Sequence, residues 1–266
     1  MCQQANYELD EKVLAALRLA EQDETSPLGR EALGQIIENT RVAKRQQLPL
    51  CQDCGTTVVF LEIGQDAHIV DGDLTEAVTE GVRQGYTQGY LRKSIVSQPF
   101  SARINTRDNT PPVIHTEIVS GDRIKVAVLP KGAGSENMSR MAMLKPSDGR
   151  QGVIDFTVRV VDEAGGSPCP PLTVGLGIGS TAEGAMILAK RALLRPTGQP
   201  SDDAETAELE KEVLSRINAL GIGPLGLGGN VTALAVHAET RPTHIASLPV
   251  AVNLQCHSVR HKEVTL

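Results

Sequence analysis

Aromatic side chains are almost missing: Phe, Tyr and Trp together make up 2% of the 266 residues, and there is no Trp. The core must then be aliphatic, and few rings are present on which nucleic-acid bases could stack. No basic tail or patch of several consecutive cations occurs either, and the net charge is −6 with a pI near 5.6. Together these absences argue against a nucleic-acid partner. The chain also lacks any run of about 18 apolar residues, and its first residues, MCQQANYELDEK, lack the charged-then-apolar order of a secretory leader. A soluble cytoplasmic protein with no membrane partner is expected. Cysteine is sparse and odd in number, five at positions 2, 51, 54, 169 and 256. That does not fit the dense disulfide framework of a small secreted domain, so reduced thiols or metal ligands are expected.

What is present is a 40% hydrophobic complement, enough to bury a substantial core as one large domain or two small ones. The one linker-like stretch is TGQPSDDAE at 197–205. Motifs of one candidate site lie on both sides of it, so the expectation is a single domain over 1–266 with a surface excursion near 197–220.

Apolar spacing from Tyr7 to about Leu48 predicts two helices joined at Thr25-Ser26-Pro27 as a helical hairpin. The β-branched run Thr56 to Ile63 predicts a buried strand, and Asp73 can cap a helix reaching about Tyr90. Two alternating runs, Val113 to Val119 and Arg123 to Leu129, flank Ser120-Gly121-Asp122 and predict a β-hairpin. Residues 150–163 read as a helix by length, although their valines suit a strand. Ser180-Thr181-Ala182-Glu183 satisfies a capping box that opens a helix stopped by Pro196, and the acidic helix after the linker should end near Gly221. The fold class expected is α+β, with mixed helices and antiparallel sheet.

Three cysteines sit in settings that stiffen or open the backbone: Cys51 in PLCQDCGTT, Cys169 between Pro168 and Pro170, and Cys256 after LPVAVNLQ. Proline fixes φ and removes a donor, which can leave a sulfur pointing into a site. Three such thiolates suggest one shared metal centre, and a cubane iron–sulfur cluster on three thiolates keeps one iron open to a substrate. The bland reading is three buried, inert cysteines. Cys51 and Cys54 also form C-x-x-C, which proposes a redox dithiol or, with Cys169 and Cys256, four ligands to one zinc.

Gly175-x-Gly177-x-Gly179 precedes a helix and either cradles an anion on its N–H groups or permits tight strand–helix packing; Ser180 breaks the dinucleotide pattern. Lys131 to Asn137, KGAGSEN, reads as a functional loop. Arg92, Lys131, His244 and Arg260 are cationic or imidazole groups that could receive an acidic substrate.

The strings PLCQDCGTTVVFLEIG, KGAGSENMSRMAMLKPSDG, SPCPPLTVGLGIGSTAEGAMILAKRALLRP, GIGPLGLGGNVTALAVH and PTHIASLPVAVNLQCHSVRH occur in this order over most of the chain. In them the chain resembles the α subunit of oxygen-sensitive class I fumarases. It also resembles the α subunit of tartrate dehydratase, with KGAGSENMS and THIASLPVAVN closer to the fumarase version. The resemblance implies an iron–sulfur hydro-lyase α-subunit fold and a [4Fe-4S] cluster on Cys51, Cys169 and Cys256. It implies Gln52, Asp53, Arg92, Gly134 and His244 around a small dicarboxylate, with Asp53 as the candidate for handling or positioning a proton. It further implies that RHKEVTL ends the α part and that a fumarase-type β subunit completes the site in an α2β2 assembly, so malate–fumarate interconversion should need both chains. Two positions depart from the family pattern: Cys54 stands where Thr is common and Ser180 where Gly is common.

Overall fold

Extended backbone at Thr56–Gly64 (β1) lies inside one of two sheets that organise the protein, whose computed structural model describes residues 1–266. In chain order the elements before and after it are α1 (Cys2–Tyr7), α2 (Glu11–Asp23), α3 (Pro27–Gln46), then α4 (Leu74–Gln88), β2 (Val113–Val119), β3 (Ile124–Lys131) and α5 (Ala133–Glu136). There follow β4 (Arg140–Leu144), α6 (Gly149–Ala164), β5 (Leu172–Ser180), α7 (Ala182–Ala192), α8 (Ala204–Asn218), β6 (Ala233–Thr243), β7 (Leu248–Gln255) and β8 (Lys262–Thr265). The class is α+β, and each sheet mixes parallel and antiparallel pairs. No helix is long and apolar enough to cross a membrane.

The chain divides into two compact units where a single domain over 1–266 is the sequence expectation. The first comprises Met1–Leu9, Thr40–Ala133 and Arg260–Leu266; the second comprises Asp10–Asn39 and Gly134–Val259. The linker-like stretch 197–205 lies within the second unit.

In the first unit the sheet runs β2-β1-β3-β8. Its core is aliphatic with two tyrosines, gathering Tyr7, Cys54, Val59, Leu61, Val82, Tyr86, Leu91 and Val128. Asp73 caps α4 by accepting from Glu76 N at 2.8 Å, as its position before the apolar spacing predicts. The predicted hairpin of β2 and β3 does not form. β1 lies between them, parallel to β2 and antiparallel to β3. The Ser120-Gly121-Asp122 turn instead wraps the end of β1: Gln65 N donates to Val119 O, Asp66 N to Gly121 O and Gly64 N to Arg123 O. Gly64 is required there, because a Cβ would stand 2.4 Å from Gly121 O. A local turn signal is thus satisfied by a strand fifty residues upstream, which takes the hydrogen bonds a hairpin would make.

In the second unit the sheet runs β4-β7-β5-β6. α6 and α8 cover an aliphatic core of Val153, Ile154, Val160, Leu172, Val174, Leu176, Val213, Ile217, Val236, Val250 and Leu254. The 150–163 segment is helical because its valines sit on a helix whose inner face is buried, where packing overrides β-branched propensity. α2 and α3 form on either side of Thr25-Ser26-Pro27 as the apolar spacing predicts, but α1 is a separate short helix that the pattern does not reveal.

The capping box reading at Ser180 is corrected. Thr181 is the N-cap of α7, no side-chain cap bond is made, and the helix ends at Ala192 rather than at Pro196. Ser180 is the last residue of β5 and adopts φ +61°, a conformation in which a Cβ is disfavoured.

Candidate functional site

The three candidate ligand cysteines differ from the other two in exposure. Cys169 is exposed and Cys51 and Cys256 are partly exposed, whereas Cys2 and Cys54 are buried. Burial also raises the Cys2 and Cys54 thiols above the ordinary cysteine range, so the neutral thiol is favoured at both. Accessible sulfur on an irregular loop suits a metal ligand; a buried neutral thiol does not.

Within the first unit, Cys51 stands in the turn that feeds β1. Leu50 N donates to Asn6 O at 2.8 Å just before it, and Tyr86 Oη donates to Cys54 O at 2.7 Å just after it. Gly55, at φ +76°, brings the backbone so close to Lys131 that a Cβ would meet its carbonyl carbon at 2.7 Å. Asp53 is the hub of this turn. Its Oδ1 accepts from Gly55 N at 3.0 Å and its Oδ2 accepts from Ala133 N at 2.7 Å, which ties the Cys51 turn to the start of α5. The side chain of Gln52 beside it is exposed, as is that of Arg92. The Arg92 backbone N–H donates to Cys54 Sγ at 3.3 Å, so the base of the Arg92 segment is fixed while its guanidinium stays accessible.

Within the second unit the loops of Cys169 and Cys256 meet. Cys169 O accepts from His257 N at 3.3 Å and also lies 3.0 Å from His257 Nδ1. Cys169 itself has φ +57°, a left-handed conformation that costs a non-glycine residue roughly 1–2 kcal/mol. Such strain persists only where the surroundings impose it, and here they are identifiable. Cys169 N donates to Gly166 O at 3.0 Å, and Leu225 N donates to Pro170 O at 2.9 Å. Gly134 lies beside the same segment, since a Cβ on it would stand 3.4 Å from Ser167 O. Glu136 of the KGAGSEN loop pairs with Lys190 of α7 and accepts from Asn253 Nδ2 at 3.1 Å. The loop is therefore anchored to α7 and β7.

His244 lies at the β6–β7 turn, exposed, with its Nδ1 accepting from Ala246 N at 3.1 Å. It lines an open cavity of about 460 Å³ with Ser180, Thr181, Thr243 and Ser247. No group of three or more His, Cys, Asp or Glu side chains is gathered at metal-holding spacing. What the structure brings together are the loops of Cys169 and Cys256 in one unit, and Cys51, Asp53 and the Arg92 backbone in the other.

The glycine run of β5 serves packing rather than anion binding. A Cβ at Gly175 would lie 2.0 Å from Ala189 O and one at Gly177 would lie 1.9 Å from Ala185 O, so α7 sits directly on the strand. Sequence reasoning missed Glu24, which is fully buried. Its carboxylate accepts from Ser26 N at 2.8 Å, Asn230 N at 3.1 Å and Val231 N at 3.0 Å, pinning the glycine-rich 221–230 loop that supports Pro170. Nothing near Glu24 in the sequence signals partners two hundred residues away.

Cys54 fills a core position beside Tyr86 and Leu91. Cys54→Thr is expected to fold, losing about 1 kcal/mol or less, and a melting curve checks this.

A family model described as Fumerase, fumarate hydratase, matches residues 1–265. A Methanocaldococcus jannaschii protein named provisionally as L(+)-tartrate dehydratase subunit alpha is 45% identical over 254 residues, covering 93% of this chain and 88% of its own. The L(+)-tartrate dehydratase subunit alpha of Escherichia coli K12 is 30% identical over 262 residues, covering 97% and 85%. The same share and identity hold for the Shigella sonnei protein of that name. A match along nearly the whole length, with the cysteine loops of both units inside it, establishes that the chain belongs to the fumarate hydratase (Fumerase) family of hydro-lyases, which includes tartrate dehydratase α subunits.

Proposed function

We propose that this chain is the cluster-bearing α subunit of a hydro-lyase that removes water from a four-carbon hydroxy dicarboxylate, with L(+)-tartrate as its substrate, and that it acts with a β subunit. The observation that carries the cluster assignment is the partition of the cysteines: three accessible on loops, two buried with raised thiol pKa values. The same partition disfavours a four-cysteine zinc site or a Cys51–Cys54 redox dithiol, because Cys54 is 1% exposed. The choice of tartrate follows the names of the relatives and reverses the preference for fumarase drawn from KGAGSENMS and THIASLPVAVN. A β subunit follows from their being named alpha subunits.

The family is iron–sulfur-dependent, and the donor set fits: Cys51, Cys169 and Cys256 are soft thiolate ligands and no fourth accessible cysteine competes. When bound, a [4Fe-4S] cluster supplies an open iron that acts as a Lewis acid toward carboxylate and hydroxyl oxygens. Arg92 offers a fork for one substrate carboxylate, and Gln52 and His244 offer polar contacts that orient it. Dehydration also requires removal of a proton from the carbon next to the one losing its hydroxyl. Asp53 is assigned to position or accept a proton, since two backbone N–H groups fix its carboxylate in one orientation.

The test is anaerobic assembly with the β partner and side-by-side turnover of L(+)-tartrate and (S)-malate. The two differ by one hydroxyl, and a site that hydrogen-bonds that group rejects the analogue lacking it by orders of magnitude. Tartrate should win in kcat/KM by at least about 100-fold. A preference for malate would replace tartrate by the malate–fumarate reaction, and turnover of neither would sink the hydro-lyase assignment.

A further inference from the structure

Arg260 heads the fully buried side chains by size, at 1% exposure. A guanidinium taken out of water is destabilising by several kcal/mol unless its donors are met and its charge is answered. Here two uncharged oxygens share one nitrogen: Nη1 donates to Asn6 Oδ1 at 3.1 Å and to Asp53 O at 2.5 Å. Nε has no partner. Gly132 leaves room for the remaining nitrogen, because a Cβ there would stand 3.1 Å from Nη2 and 3.2 Å from Asp53 Oδ2. A residue whose only task was to fill the interior would do so better as an aliphatic side chain.

The contacts have a common target. Asn6, fully buried, accepts from Leu50 N through its backbone carbonyl and donates from Nδ2 to Cys2 O at 2.9 Å. The residue before Cys51 is thus held by Asn6, and Asp53, after Cys51, is held by Arg260, which is itself bonded to Asn6. Residues 50–53 are gripped at both ends by one buried network, while the Cys51 sulfur stays accessible. Both acceptors lie on Nη1, whose two N–H bonds are held in the guanidinium plane, whereas a lysine ammonium is a rotatable point charge. Arg260 also follows Cys256 by four residues, so one short segment carries both a candidate ligand and this clamp.

We propose that Arg260 is a positioning residue for the Cys51 ligand segment, holding residues 50–53 in shape from inside. The purpose given to the clamp rests on the proposed function; the clamp itself does not.

The experiment compares Arg260→Lys and Arg260→Gln with the parent by amide hydrogen exchange on the full chain without cluster, and by iron content and electron paramagnetic resonance after anaerobic reconstitution with the β partner. A charge-assisted hydrogen bond lost from Asp53 O should speed exchange at Leu50, Asp53 and Gly55 by at least about tenfold, with β1 and α4 amides unchanged. Iron content should fall in Arg260→Gln and be partly restored in Arg260→Lys, with an altered resonance in the loaded fraction. Exchange that rises evenly through the sheet would show that Arg260 only supports the fold and would overturn the proposal, as would unchanged exchange at 50–55. Should Arg260→Gln fail to fold, Arg260→Lys decides by the same local-against-global comparison. If the parent chain takes up no iron and sulfide while the local exchange result holds, the function reading falls and the clamp stands.

Discussion

Serine in place of Cys51, Cys169 or Cys256 is expected to abolish stable iron and sulfide incorporation and to lower turnover of the assembled enzyme by more than about 100-fold. The size follows from comparison: groups that merely orient a ligand are worth 10–100-fold in metal affinity or activity, so loss of a ligand must exceed that range. Serine keeps the shape but replaces a soft, readily ionised sulfur with a hard hydroxyl that stays protonated at neutral pH. All three thiols are at least partly exposed, so the substitutions remove little packing and the folded chain should survive them. Cys2→Ala is the matched control, since Cys2 is buried in the first unit's core and should affect stability only. Iron and sulfide analysis with a melting curve separates the two effects. Full iron in the Cys169→Ser variant would remove Cys169 from the ligand set.

Much of the local structure is legible because its signals are local. The run Thr56 to Ile63 is β-branched and bounded by glycines, and Asp73 precedes a helical spacing, so β1 and the cap of α4 follow from a few neighbouring residues. The β2–β3 error has the opposite origin. Ser120-Gly121-Asp122 is a genuine turn, but whether the strands it joins pair with each other depends on β1, which competes for their backbone groups from far upstream. Ser180 misleads in a similar way: the residue pattern fits a cap, while the register shift between Gly179 and Ser180 places it at the strand end.

The candidate site shows the same division. Cys51, Cys169 and Cys256 stand out by type, the first two also by neighbouring proline, and the cysteine exposures sort all three from Cys2 and Cys54. The residues that hold these loops do not stand out. Asn6, Glu24 and Asn253 are polar residues within or beside ordinary secondary structure, and their importance comes from burial and from acceptors or donors distant in sequence. A buried carboxylate such as Glu24 is costly unless it is well hydrogen-bonded, so its three N–H donors explain why it is tolerated there. Only the folded chain brings those donors to it.

Alanine at Gly177 is expected to destabilise the second unit by about 3 kcal/mol or more, at the upper end of overpacking effects. The added Cβ would lie 1.9 Å from Ala185 O and 2.6 Å from Ala189 N, both backbone atoms of α7, so no side-chain rotation can relieve it. Either α7 lifts from β5 or the strand bends. Lifting opens the small-residue interface of Ala185, Ala189 and Ala251, whose close approach depends on there being no side chain on the strand. It also moves Lys190, which pairs with Glu136 of the KGAGSEN loop, and so carries the disturbance from packing to the candidate site. Gly81→Ala is the contrast: a Cβ there meets nothing within 4 Å, and alanine is the better helix former by about 1 kcal/mol. Urea unfolding of both variants should show the midpoint falling for Gly177→Ala and holding or rising for Gly81→Ala. A Gly177→Ala protein as stable as the parent would mean that α7 does not rest on β5 as described.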